Sequence, residues 1–228
     1  MEGIYKYLIQ TKRGRNLIHK KTQLTHTNTL ITEGAMSKQA KTLTQQELRR
    51  VLDYVATRKH SVRNRALLMT THLSGMRVGE VASLRNSDVL DTEGNVRNEI
   101  RLSAEQTKGN EARVVFVNDR LRKELEQYIN PFNKSTINPA LKFFYSQKRT
   151  SDGFTANTLT QFFHYLYRRA GIDGASSHSG RRTFITNLAS KGVGVRVLMS
   201  LAGHKNISTT QAYIDVNDDM KRKAVELA

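Results

Sequence analysis

The chain has 228 residues, with 37 Lys and Arg against 20 Asp and Glu, a formal net charge of +17 and no cysteine. That length buries a core without a metal or disulfide staple, and the missing cysteine excludes disulfide scaffolds, thiolate zinc sites and cysteine nucleophiles. The charge draws in polyanions, nucleic acid first and an anionic membrane surface second.

Residues 1–41 read as a basic, poorly packed N-terminal arm. The first 35 carry six Lys and Arg against two acidic residues, and only one brief apolar run, Ile4-Tyr5 to Leu8-Ile9. Such an arm can lie along a phosphate backbone or be a leader without a role; Met36 is an alternative start. No apolar run is long enough to span a bilayer and none resembles a signal peptide, so a soluble, cytoplasmic protein is expected. No two histidines have His-Glu-x-x-His spacing, so neither metal nor other cofactor is expected.

A single folded domain is expected over 42–228. Thr44-x-x-Glu47 is a capping box, and Leu48, Val51, Leu52 and Val55 follow at helical spacing. A second helix runs from about Val62 to Leu73, with Ala66, Met69 and Leu73 inward, and stops at Ser74-Gly75, where glycine takes a left-handed turn. Arg77 opens a short third helix containing Val81 and Leu84, at a helix end that favours anions. From Asn98 the period shortens: Ile100 and Leu102, then Val114 and Phe116, read as two strands. Thr107-Lys108-Gly109-Asn110 supplies the turn between them and places Lys108 near the tip.

Arg120 to Ile129 reads as a helix ended by Asn130-Pro131. A looser stretch, Asn133 to Gly153, holds the apolar run Leu141, Phe143, Phe144 and Tyr145. Leu159, Phe162, Phe163 and Leu166 then make one helical stripe, whose spacing marks core and not a base-stacking platform. The following helix opens at His178-x-x-Arg181, with Phe184, Ile185 and Leu188 inward, and stops at Lys191-Gly192. Val195, Leu198, Met199 and Ala202 line one side of another, which ends at Gly203-His204. Ile207 to Thr210 cap the segment that holds Tyr213, and a tail over 217–228 forms an amphipathic helix. The fold class expected is mainly α with a small antiparallel β-sheet.

Placing His178 and Arg181 three residues apart at a helix mouth lets an imidazole and a guanidinium share one phosphate. On its own that pairing is weak. It comes, however, with Ser74-Gly75-Met76-Arg77-Val78-Gly79-Glu80-Val81, the turn Thr107 to Asn110, Leu201-Ala202-Gly203-His204, and Tyr213 nine residues beyond His204. In this order and spacing, over about residues 42 to 216, the chain resembles the catalytic domain of the tyrosine recombinase (phage integrase) family.

The resemblance implies a metal- and ATP-independent site-specific recombinase that cuts DNA through a 3′-phosphotyrosine. Arg77 and Arg181 would clamp the scissile phosphate, and Tyr213 would attack it. A phenol ordinarily holds its proton at neutral pH, and His178 would be the base that takes it. Lys108 would protonate the leaving 5′ oxygen, His204 would donate a hydrogen bond to the phosphate, and Glu80 would orient the site. Strand exchange would need a homotetramer on DNA, from a monomer or weak oligomer when free, with the tail packing on a neighbour. Family members usually carry a separate helical DNA-clamping domain before the catalytic one; the short stretch ahead of Thr44 likens this chain to short forms such as the fimbrial-switch DNA invertases. Two alternatives stay open here: a DNA-binding homologue without catalysis, and a type IB topoisomerase, which ordinarily has lysine where His178 stands.

Overall fold

A computed structural model of the chain describes residues 39–132, 134–146, 153–214 and 218–226. The expected arm lies outside them up to residue 38, and a compact unit spans Gln39–Ala228. Helix α1, Gln45–Ala56, starts on the capping box: Glu47 N–H donates to Thr44 Oγ1 at 3.2 Å and Thr44 N–H to Glu47 Oε2 at 3.0 Å. Val51 and Val55 turn inward.

Helix α2, Ser61–Ser74, is the axis of the domain. It was expected to bury one face, but Ala66, Leu67, Leu68, Met69, Thr70, Thr71 and His72 are all buried, while Leu73 is only partly so. A helix wrapped on every side carries no amphipathic stripe, so periodicity alone understates its burial. It ends as expected, with Gly75 in the left-handed region at φ 64°. A Cβ there would lie 2.5 Å from the Phe184 ring.

Helices α3, Val78–Ser83, and α4, Asn86–Val89, lead to strands β1, Glu99–Leu102, and β2, Arg113–Phe116, which pair antiparallel with Ile100 opposite Val115 and Leu102 opposite Arg113. Both expected strands form, and in β2 it is Val115, not Val114 or Phe116, that turns fully inward. Directly opposed residues share a face, so Val115 is buried with Ile100, whereas Phe116 opposes Glu99 and is 58% exposed. The same register sends Arg113 inward beside buried Leu102. Lys108 lies in the loop between the strands, just after a 3₁₀ turn over Ala104–Gln106.

Helix α5, Asp119–Ile129, packs on α2, and α6, Ala156–Arg169, packs on α1 and α3. Leu159, Phe163 and Leu166 are core residues, joined by Tyr167, and Phe162 is partly buried against them. Phe143 and Phe144 from the looser stretch are buried too, and Tyr128 donates to Phe143 O at 3.0 Å.

Helix α7, Ser179–Ser190, crosses α2 at close range. A Cβ on Gly180 would lie 2.2 Å from Thr71 Oγ1, so only glycine permits that approach. Thr183 Oγ1 accepts from Leu43 N–H at 2.9 Å and donates to Ser179 O at 2.7 Å, tying the chain ahead of α1 to α7. Ile185 is buried, while Phe184 and Leu188 are only partly covered. Helix α8, Val195–Ala202, buries Leu198 and Ala202 and stops at Gly203, φ 62°. Helix α9, Ile207–Gln211, is capped by Asn206, whose side chain accepts from Ser208 N–H at 3.0 Å, and not by the hydroxyls that follow. Of the expected tail, α10 covers Asp218–Val225. Among the described residues the architecture is mainly helical with one two-stranded sheet, and no helix is long and apolar enough to cross a membrane.

Candidate active site

Gly75 at the end of α2 and Gly203 at the end of α8 bring two left-handed helix exits together, and arginines stitch them. Arg181, one turn into α7 and 5% exposed, donates from Nη1 to Gly75 O at 2.7 Å and from Nη2 to Ala202 O at 2.6 Å. Arg77 donates from Nη2 to Gly203 O at 3.2 Å. Each guanidinium has five N–H donors, so both keep free donors while their planes are fixed.

Glu80 is 1% exposed and serves as the counter-charge. Its carboxylate accepts from Arg77 N–H at 2.7 Å and Arg77 Nη1 at 3.1 Å, and from Arg113 Nη2 at 2.7 Å and Nε at 3.3 Å. Burial alone would push its pKa up, but the hydrogen bonds and charges of Arg113 and Arg77 outweigh this and hold it below the ordinary carboxylate value. Arg113 also donates to Leu201 O at 3.0 Å. Sequence reasoning missed Arg113. The signal available was the antiparallel register, which places it across from an apolar residue and so on the buried face.

His178 caps the start of α7 at the solvent edge, while Arg181 three residues on is buried; the pair shares one mouth, not one depth. Lost hydration, then the charges of Arg181, Lys108 and Arg77, pull the His178 pKa below its ordinary value. At neutral pH it is a free base. His204, 8% exposed, is pushed down to about 4 by desolvation and by Arg181, Arg77 and Arg113. Its Nδ1 lies 2.9 Å from the hydroxyl of fully buried Thr210. With Thr210 O–H donating to Nδ1, the neutral ring carries its proton on Nε2, where it can serve an anion. Thr210 is the second contributor that sequence reasoning missed.

Lys108 lines a cleft of about 500 Å³ together with Arg77, Arg113 and His204. The Tyr213 ring stacks on His204 with centroids 5.8 Å apart and planes 22° from parallel, and the guanidinium carbon of Arg182 lies 5.1 Å from the centroid of the same tyrosine ring. Burial, then the charges of Arg77 and Arg113, bring the Arg181 pKa down to about 10 against the opposing pull of Glu80 and Tyr213, and it is still charged at neutral pH. The six sequence-predicted side chains therefore come from five separate segments to one region, with Glu80 beneath them. Chemically the arrangement offers fixed cations for a phosphate, a neutral imidazole at the rim, a lysine and a phenol. Among the described residues no three His, Asp or Glu side chains cluster as metal ligands.

A family model described as the phage integrase family matches residues 41–220. Tyrosine recombinase XerA of Pyrococcus furiosus is 26% identical over 188 residues, which cover 82% of this chain and 62% of that protein. This chain thus spans about three-fifths of the length of that relative. A crystal structure of XerA recombinase superposes with a TM-score of 0.64 at 26% identity, over 82% of this chain and 64% of that one. The Tn1549 transposon integrase, in complex with a circular intermediate DNA, gives 0.63 at 21% identity over 83% and 66%, a likeness of fold.

Proposed function

Since the chain belongs to the phage integrase family, we propose that it is a tyrosine-type site-specific recombinase acting on double-stranded DNA. The observation that carries this reading is the convergence of Arg77, Arg181, His178, His204 and Lys108 around a Tyr213 ring stacked on His204.

In this mechanism the guanidinium groups of Arg77 and Arg181 bind the non-bridging oxygens of one phosphodiester, and His204 Nε2–H adds a donor as charge builds there. Their planar forks suit that contact better than lysine would. The Tyr213 oxygen attacks phosphorus and passes its proton to His178, which lost hydration and the cations around it favour in the uncharged form beforehand. The bond to the 5′ oxygen breaks, Lys108 gives that oxygen a proton, and a 3′-phosphotyrosine ester remains. A second 5′ hydroxyl reverses the step, so strands exchange without ATP. Because fixed cations supply the positive charge, no metal has a part. On this reading exchange takes place in a homotetramer on DNA, with residues 42–228 as the catalytic domain and 217–228 as a tail that reaches a neighbouring copy.

The test is recovery of DNA covalently bound to the chain after denaturation of cells that express it. The wild type should carry DNA linked through Tyr213, and Tyr213→Phe should bind DNA without forming the adduct. Adduct at the wild-type level from the Phe variant would overturn the assignment.

A further inference from the structure

α2 has 14 residues, about 20 Å of axis at 1.5 Å per residue. At its first turn, the end remote from Gly75, a cleft of about 680 Å³ opens between α1 and α6. One wall is Arg63, 8% exposed. Its Nε and Nη2 donate to Asn64 Oδ1 at 3.3 and 3.0 Å, and its Nη1 to Tyr145 O at 3.0 Å. None of these acceptors is charged. Of the other inward guanidinium groups, Arg113 has Glu80, whereas Arg181 rests on backbone carbonyls in the candidate active site, where the proposed phosphate joins it. Among the described residues Arg63 has no ion pair, and desolvation lowers its pKa. A buried cation without a counter-charge is an unfavourable arrangement that an arriving anion relieves.

The rim repeats the theme. Arg58 lies 4.5 Å over the Tyr54 ring, Arg63 5.1 Å from Phe154 and Arg169 5.7 Å from Tyr165. Lys59 adds a fourth cation, and among the described residues no Asp or Glu lines the cleft. Arg63 also borders a neighbouring cleft of about 590 Å³, walled by Tyr128, Phe132, Tyr145 and Val62. Phe132 is 39% and Val62 45% exposed there. Charge and an apolar seat thus adjoin across one guanidinium.

We propose that this end of the domain docks an acidic peptide segment of a partner protein, one carboxylate pairing with Arg63 and an adjacent apolar side chain entering the neighbouring cleft. A carboxylate matches the guanidinium fork, and clustered arginines read acidic motifs in this way. A DNA duplex fits poorly, because its phosphates ride on a convex surface that cannot reach a buried group between two helices. The proposal is independent of the recombinase chemistry.

The test uses the full chain and a fluorescein-labelled peptide of Asp and Glu around one Trp and one Leu, with fluorescence anisotropy at about 150 mM salt, where long-range attraction is screened. The acidic peptide should bind at least about tenfold more tightly than its Asn/Gln counterpart. Arg58→Glu and Arg169→Glu should each weaken it by about fivefold or more, whereas Lys123→Glu, the same charge change on the exposed side of α5, should leave it within about twofold. Arg63→Gln should abolish binding while the melting temperature shows a folded protein; if that variant does not fold, the two rim variants decide. Excess duplex DNA should leave the peptide bound. Equal losses in the Lys123→Glu variant, displacement by duplex, or no preference for the acidic peptide would each overturn the proposal.

Discussion

Replacing Glu80 by Gln removes the one carboxylate that Arg77 and Arg113 share while keeping the side chain's shape. The side chain is 1% exposed and that of Arg113 is 10% exposed, so the change leaves a nearly buried guanidinium without its counter-charge. Breaking a buried pair from one side costs about 3–5 kcal/mol, and because Gln still accepts hydrogen bonds the lower end applies, about 3 kcal/mol. For a domain of this size each kcal/mol moves the melting temperature by about 2–4 °C, which gives a drop of about 6–12 °C by thermal denaturation. The pH dependence has a fixed sign. The folded carboxyl has a lowered pKa, so its contribution is complete above the unfolded value of about 4.3 and is lost as pH falls from there through the folded value. The gap between wild type and Glu80→Gln should hold at pH 7 and close in acid. A double-mutant cycle with Arg113→Met completes the assay: the double variant should cost at least about 1 kcal/mol less than the sum of the singles. Additivity within about 0.5 kcal/mol, or a gap unchanged by acid, would refute the reasoning.

His178→Gln should slow adduct formation by about 10²–10⁴-fold. In the wild type at subsaturating DNA, where the groups of the free protein set the profile, the rate should rise with pH through an inflection below the ordinary histidine value, because the proposed base acts in its neutral form and its pKa is lowered in the free chain; an inflection above that value would remove His178 as the base. Thr210→Val should return the proton of His204 to Nδ1 and slow cleavage about tenfold, roughly the value of one hydrogen bond. DNA binding should be unaffected, and Thr210→Ser should restore the rate. Gly180→Ala should destabilise the fold by about 1–3 kcal/mol, since its Cβ would lie 2.2 Å from Thr71 Oγ1, and an unchanged melting temperature would show that the α2–α7 contact yields easily. Chelator added to the adduct assay should change nothing; strong inhibition would contradict a charge supply made of arginines.

Local signals in the sequence reach the helices because each is written in few neighbouring residues. The Thr44 capping box and the Gly75 and Gly203 exits are short-range chemistry, and they stand where they were expected. The phase of β2 is a matter of register with β1, a pairing between strands ten residues apart that the Val114 and Phe116 alternation cannot report by itself. Arg113 and Thr210 escaped notice for a related reason. Their parts depend on Glu80 and His204 arriving from other segments, and nothing adjacent in sequence marks them. The first turn of α2 shows the same limit: nothing adjacent in sequence sets Arg63 apart from the other cations of the chain, and only folding shows it covered.

The electrostatics of the site bear on when it becomes reactive. Burial, and after it the charges of Arg181 and Arg77, lower the proton affinity of both His178 and His204, so in the absence of DNA the imidazole at the rim is free but weakly basic. A phosphate arriving between the guanidinium groups brings the opposite charge, and an anion nearby favours the protonated form of a histidine. On the proposed mechanism the bound phosphodiester would therefore strengthen His178 as the base for Tyr213, and the further negative charge that develops on the non-bridging oxygens would strengthen it more. Such coupling requires cations that do not relax away from one another when the site is empty. The backbone carbonyls of Gly75, Ala202 and Gly203 hold Arg77 and Arg181 against that relaxation, so on the proposed mechanism the left-handed exits of α2 and α8 serve the chemistry as much as the fold.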